Sequence, residues 1–351
     1  MFKNLRHTMT FDDVLLVPQF SDIESRAEVD IGTKLKNIVL QTPIVSSPMD
    51  TVVNEEMAAA VVINGGLPIL HRYNNPQDQV SMFEKAKDKV MFATNAPTVV
   101  IGAAVGTTPE ELARAKMLCF AGVNVLCIDV AHGHHIAVRR MIENLRDAYG
   151  NKIHIMAGNI ATTEAFTDLS NWGADSVRVG VGGGSICSTR IQTGHGVPTL
   201  QSIFDVVNHQ ESATPAAIIA DGGIRTSGDI VKALAAGADA VMLGSMLAGT
   251  DETPGEIYFS NGSYYKAYRG MASREAQTAW RGRVSSIEGI SSQVPHKGPV
   301  SGVFDEIKVG IRSGFSYSGA RNIVQLQTKS KFIIQTHAGQ VESSTHVRNL
   351  V

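Results

Sequence analysis

One pattern constrains this chain more than any other. A short apolar run ending in a polar or glycine-rich turn, with helix-like segments between the runs, recurs eight times along the sequence. The runs are IVSSPMD (44–50), LPILHR (67–72), TVVIGAAVG (98–106), VNVLCIDVAHG (123–133), IHIMAGN (153–159), SVRVGVGGGS (176–185), AAIIADGG (216–223) and AVMLGS (240–245). Helix-like segments such as PEELARAKMLCFAG (109–122) and GDIVKALAAGA (228–238) lie between them. Each run suits a strand buried on both faces, and each helix supplies the crossover that parallel pairing requires. The pattern predicts an α/β fold, a (β/α)8 TIM barrel, as a single domain over 1–351 with its strands within about 40–245. A doubly wound open sheet is the alternative. The count of eight and the lack of an early GxGxxG favour the barrel. Residues 246–351 are too many for one closing helix, so a flap or lid is expected there, followed by a mobile tail rich in Ser, Thr and His.

Composition excludes several function classes. The formal charge is −2, with 43% hydrophobic and 18% charged residues, so no basic field invites nucleic acid. No apolar run reaches the length of a membrane span, and MFKNLRHTMTFDD lacks the apolar core of a secretion signal. Three cysteines without paired spacing suit a reducing cytoplasm. Cys119 and Cys127 sit in apolar contexts and read as small core residues, whereas Cys187 lies in a stretch of Gly, Ser and Thr.

In a TIM barrel the active site gathers at the C-terminal ends of the strands. The stretch RVGVGGGSICSTRIQTGHGVP (178–198) ends the sixth run. Its glycines permit tight turns that expose N–H groups to a phosphate or carbonyls to a monovalent cation. Cys187 then lies on a loop over the barrel mouth, with Thr189 and Arg190 nearby; a mobile surface loop with a spectator thiol is the plainer reading. ADGGIRTSGDI (220–230) and VMLGSMLAG (241–249) end the seventh and eighth runs, the usual phosphate position of this fold. Gly223, Gly244 and Ser245 can supply donors there, and the Asp221 carboxylate suits a ribose diol; both stretches also read as plain tight turns. In CIDVAHGHHI (127–136) Asp129 ends the fourth run. The three histidines that follow lack an accompanying carboxylate or thiol pattern for a metal, so contact with a planar ligand is the better expectation.

Together these pieces resemble the family of inosine-5′-monophosphate (IMP) dehydrogenase and guanosine-5′-monophosphate (GMP) reductase. TFDDVLLVPQFS, SSPMDTV, GAAVG, DVAHGH, AGNI, GVGGGSICSTR, DGGIRTSGD, MLGSMLAG, YRGM (268–271) and EG with VPHKGPV (288–300) run in family order through nearly the whole chain. The resemblance implies a homo-oligomer, usually a tetramer, acting on a small purine nucleotide. It implies that Cys187 adds to C2 of the purine and that hydride moves between C2 and a nicotinamide. Ser185, Asp221, Gly223, Gly244, Ser245, Tyr268, Gly270 and Met271 resemble the nucleotide site, with Ser47 and Met49 beside it. Asp129, Val130, Ala131 and Arg178 resemble the nicotinamide side. Carbonyls of Gly182, Gly184 and Cys187 resemble a potassium site. The chain departs from the family at Gly183, where proline is frequent, and at Arg72, where lysine is frequent. An arginine does not readily release a proton, which disfavours an acid role there. The paired regulatory modules (CBS) that many dehydrogenases insert between strands two and three are absent, because KDKVMFATNAPTVVIGAAVG runs straight on.

The family's two activities diverge after the covalent step. The dehydrogenase (IMP with NAD) hydrolyses its adduct with a flap Arg-Tyr pair; the reductase (GMP with NADPH) releases ammonia with a Thr–Glu pair. MASREAQTAWRGRVSSIEG (271–289) contains no Arg-Tyr dipeptide and is short for a mobile flap. Thr189 and Glu288 are present, but dehydrogenases also carry Glu-Gly here, so their presence alone discriminates poorly; the short flap without Arg-Tyr is what points to NADPH-dependent reduction of GMP. TFDDVLLVP, SSPMD and the tail VESSTHV look more like a dehydrogenase, which stays as the alternative.

Overall fold

The computed structural model describes residues 5–209, 211–212 and 215–343. All eight runs are strands of one parallel sheet: β1 (Ile44–Ser46), β2 (Ile69–Leu70), β3 (Gly102–Val105), β4 (Val125–Asp129), β5 (His154–Ile160), β6 (Ser176–Val179), β7 (Ala217–Asp221) and β8 (Ala240–Leu243). Neighbours in sequence are neighbours in space, and β8 returns to β1 with Met242 opposite Val45. A parallel bridge between Val45 and Leu67, at the approach to β2, closes the circle. The chain is a (β/α)8 barrel.

The helices begin where the turn chemistry dictates. Asn54, Asn75, Thr108, Thr162 and Thr226 each cap the helix that follows with a side-chain oxygen, and Pro76 and Pro109 occupy first helical positions. The outer ring comprises α1 (Glu55–Ile63), α2 (Pro76–Thr94), α3 (Pro109–Ala121), α4 (Ile136–Tyr149), α5 (Thr163–Trp172), α6 (Thr199–His209), α7 (Ser227–Ala235) and α8 (Val300–Tyr317). Only α2 and a short connection separate β2 from β3, so no further module stands there. No described helix is long and apolar enough to cross a membrane.

Two features lay beyond the strand pattern. A hairpin of Thr33–Leu35 and Ile38–Leu40 plugs the N-terminal end of the barrel, its Leu35, Ile38 and Leu40 packing against inward residues such as Val125 and Met156. Between β8 and α8 the chain builds a separate antiparallel sheet: β9 (Tyr258–Ser260), β10 (Ser263–Arg269) and β11 (Ser291–Pro295). The expected flap lies between β10 and β11 as a helix, Arg274–Arg281, and a return loop. After α8, the strand Phe332–Ile334 pairs antiparallel with Val14–Leu16. The expected tail continues as a short helix, His337–Glu342, and residues 344–351 lie outside those described.

The plug is tied in by a buried histidine. His154, 1% exposed at the start of β5, bonds Asn37 Oδ1 of the hairpin turn at 2.9 Å and Ser176 Oγ of β6 at 2.8 Å. A neutral ring satisfies both, donating from Nδ1 and accepting at Nε2. Burial disfavours the cation and lowers the pKa from 6.5 to about 4. A base depressed on folding contributes stability above its unfolded pKa and loses it as the pH falls towards the folded one. Acidification from about pH 7 to about pH 5 should therefore cost about 2 kcal/mol through His154. Urea unfolding across that interval checks this, and His154→Gln, which has no proton to gain, should show a flatter pH dependence.

Candidate active site

The C-terminal ends of the strands open into a cavity of about 410 Å³. Its floor is a buried ion-pair network. Arg178 of β6 is inserted between two strand-end carboxylates, donating from Nη1 to Asp129 Oδ1 of β4 at 2.5 Å and from Nη2 to Asp221 Oδ2 of β7 at 2.9 Å. Asn159 of β5 donates to the same Asp221 oxygen at 2.8 Å and to the Gly180 carbonyl at 2.9 Å. Burial alone would lower the arginine's pKa. Its charged neighbours outweigh that and raise it well above the ordinary value, so Arg178 is a permanent cation. Asp221 Oδ1 has no hydrogen-bond partner among the described residues, which leaves one carboxylate oxygen for a ligand hydroxyl.

Above the floor, the glycine loop after β6 packs tightly on the turn after β7. Gly180 has φ +145°, and a Cβ there would lie 1.9 Å from the Asp221 carbonyl, so only glycine fits. Gly222, Gly223, Gly244 and Ser245 line the same side of the barrel mouth, past β7 and β8. A Cβ on Gly244 would meet Tyr268 Oη at 3.1 Å, Met49 Sδ at 3.2 Å and Ser47 Oγ at 3.5 Å, which shows how closely these groups gather around that turn. Tyr268 lies 3.4 Å from Ser185 Oγ, and burial raises its phenol pKa. Arg269, next to Tyr268, pairs with Asp50 at 2.5 Å and so anchors β10 to the turn after β1.

The nucleophile candidate is held by the flap. Cys187 forms an antiparallel bridge with Gly289, the Ser188 amide donates to the Glu288 carbonyl at 2.8 Å, and the Ile290 amide donates to the Ile186 carbonyl at 3.0 Å. This ladder sets side chains in sequence. Cys187 Sγ donates to Thr189 Oγ1 at 3.2 Å, and Thr189 Oγ1 donates to Glu288 Oε2 at 2.7 Å. Thiol, hydroxyl and carboxylate thus form a proton route leading away from sulfur. The other thiols are unsuited to attack at neutral pH: burial pushes Cys127 up to about 12 and Cys119 to about 11.

Every residue singled out from sequence for the nucleotide, nicotinamide, cation and catalytic roles lines this one cavity. Ser47, Met49, Gly270, Met271, Val130, Ala131, Gly182 and Gly184 are among them. The histidines after β4 do not gather: His134 pairs with Asp168 at 2.8 Å, and His135 caps α4. Among the described residues no group of three or more His, Cys, Asp or Glu is placed to hold a metal ion.

Sequence reasoning missed Tyr73, Gln277, Arg281, Ser285 and Ser286, which also line the cavity. Tyr73, just past β2, stacks on Trp280 of the flap helix with ring centroids 6.0 Å apart and 20° between planes. Arg281 lies 6.0 Å over the Tyr73 ring, and the buried Arg114 lies 5.9 Å from the Trp280 ring. The one available signal was a lone tryptophan in a mostly polar helix. Arg72 donates to the Asp129 carbonyl at 3.2 Å, while its Nε is buried without a partner among the described residues.

Comparisons with known proteins agree with this geometry. Residues 8–346 match the family model described as IMP dehydrogenase / GMP reductase domain. The chain is 37% identical to inosine-5′-monophosphate dehydrogenase of Borreliella burgdorferi, with 98% of each covered. It is 33% identical to the enzyme of that name from Nitrosopumilus maritimus, covering 96% of this chain and 98% of that one. It is 32% identical to GMP reductase of Leishmania donovani, with 96% of each covered. A crystal structure of a GMP reductase variant from Trypanosoma brucei in complex with guanosine 5′-monophosphate superposes with a TM-score of 0.89 at 31% identity, covering 98% of both chains. With the barrel, the cavity and the matched length in agreement, the chain belongs to the IMP dehydrogenase / GMP reductase family of purine-nucleotide oxidoreductases.

Proposed function

We propose that this chain is a GMP reductase, converting GMP to IMP and ammonia with NADPH through a covalent bond from Cys187 to the purine. The observation that carries the reading is the assembled Cys187–Thr189–Glu288 route. The thiol gives up its proton along this route and Sγ adds to C2 of the purine. The exocyclic NH2 then leaves as ammonia, taking that proton back through Glu288 and Thr189, and a thioimidate remains. The nicotinamide, when bound, supplies the hydride to C2. Reforming the ring double bond then expels sulfur and yields IMP. Asp221 Oδ1 holds a ribose hydroxyl, and Gly223, Gly244 and Ser245 face the phosphate. Asp129, Val130 and Ala131 form the nicotinamide side, with Arg178 fixing Asp129 from beneath. The unpartnered Nε of Arg72 fits an anionic or carbonyl-bearing cofactor on that side.

No step in this reading uses potassium. The Gly184 carbonyl already accepts the Cys187 amide at 3.1 Å. Against Gly182, the Arg190 side chain serves the carbonyls of Val197 at 2.9 Å and Val181 at 3.4 Å.

One observation favours IMP dehydrogenation as the second reading. An arginine and a tyrosine that the flap sequence lacks as a dipeptide meet in space, as Arg281 and Tyr73. The guanidinium, however, lies over the ring face and not against the phenol oxygen, which suits docking of the flap better than proton transfer to water.

Three outcomes test the proposal. GMP with NADPH should consume the reduced nicotinamide and release ammonia, while IMP with NAD should give little xanthosine monophosphate; robust formation of that product overturns the assignment. Cys187→Ala should lose at least roughly a thousandfold in kcat and keep its affinity for GMP within a few-fold, since the covalent step is removed and the phosphate site is not. Asp221→Ala should weaken nucleotide binding by about 2–3 kcal/mol, read by calorimetry, because a ribose hydroxyl loses a charged acceptor.

A further inference from the structure

Five of the eight residues of the flap helix Arg274–Arg281 are polar, yet one face is buried, with Ala276 at 0% and Gln277 at 3% exposure. A buried primary amide has two donors and an acceptor oxygen to satisfy. Gln277 satisfies them within the flap's own chain. Its Nε2 donates to the carbonyls of Ala272 at 3.1 Å and Ser286 at 2.6 Å. Its Oε1 accepts the Ser285 amide at 2.9 Å and the Ser285 hydroxyl at 3.1 Å. One side chain therefore ties the entry of the helix to the return loop beyond its end.

Glu288 leaves from that return loop. Its amide donates to the Ala272 carbonyl at 3.2 Å, the same oxygen that Gln277 holds. Its carboxylate is held from both sides: Ser286 Oγ donates to Oε1 at 3.1 Å and Thr189 Oγ1 donates to Oε2 at 2.7 Å. The segment between Gly282 and Ser286 is largely exposed, so little packing fixes it. The hydrogen bonds of Gln277 supply the fixing that packing does not.

We infer that Gln277 is a positioning residue for the reaction. It clamps the Ser285–Ser286 turn so that Glu288 meets Thr189, and Ser286 sets the rotation of the Glu288 carboxylate. This rests on the reading above, in which Glu288 handles the proton.

The test is a double-mutant cycle on the full chain, measuring kcat, the dissociation constant for GMP and the thermal midpoint. Gln277→Met keeps the volume and removes all four bonds. It should lower kcat at least about tenfold and change the GMP dissociation constant less than about threefold. In a Glu288→Gln background it should change kcat less than about twofold, because groups acting as a unit are not additive. Folded Gln277→Met at the wild-type rate beside a slow Glu288→Gln overturns the inference alone, as does a loss that multiplies fully in the double variant. Glu288→Gln at the wild-type rate removes the underlying reading and this inference with it. Should Gln277→Met fail to fold, the exposed Ser286 decides. Slowing in Ser286→Ala with recovery in Ser286→Thr supports the inference, and Ser286→Ala at the wild-type rate overturns it.

Discussion

A guanidinium buried at the mouth of a parallel barrel must be paired, and the pairing of Arg178 organises the site above it. Its two carboxylate partners end β4 and β7, on either side of β5 and β6, so one cation draws together strand ends that do not touch in the sheet. Removing one partner of such a network leaves an uncompensated buried charge, at a typical cost of about 3–5 kcal/mol. Asp129 and Asp221, which both line the cavity, are thereby fixed in place. Asn159 extends the network to the Gly180 carbonyl, where the glycine loop departs. The floor thus sets the origin of the loop that carries Cys187.

The loop's far end is set by the flap. Three backbone contacts join Ile186–Ser188 to Glu288–Ile290, so Cys187 and Glu288 belong to one small ladder. The flap is in turn docked on the barrel by the Tyr73–Trp280 stack and the Arg269–Asp50 pair. A chain of contacts therefore runs from β2 through the flap to Cys187 and back through the glycine loop to β6. This circuit turns a glycine-rich loop, weak as a local pattern, into a defined site.

How much of this was readable depended on the range of each interaction. The eight strands were readable because period, turn and helix repeat locally, and all eight expected runs coincide with barrel strands. The expected site residues share one cavity because barrel topology carries every strand end to one face. The plug hairpin was not readable, since its apolar residues look like any short strand until the barrel gives them a lumen. Tyr73, Gln277, Trp280 and Arg281 were missed for the same reason: each acts through a partner whose place is fixed only by tertiary structure. The Arg-Tyr dipeptide shows the converse limit: the flap lacks it, yet Arg281 and Tyr73 are brought near each other by tertiary structure. Arg72 shows a third case, where reading the residue's charge left open what its buried Nε would meet.

The pairing of Val14–Leu16 with Phe332–Ile334 bears on how the molecule is assembled in time. Phe11, at the head of that segment, lies 3.7 Å from where a Cβ on Gly223 would stand, and Gln335 Nε2 reaches the Asp12 carbonyl across 323 positions. A nascent chain emerging from the ribosome has all eight barrel strands in hand long before Phe332–Ile334 is translated. Contacts of such separation close late, because the entropy of bringing the ends together must be met first. The turn that carries Gly223 therefore receives its last backing only after all eight strands are made, and the cavity at the barrel mouth matures after the barrel that carries it.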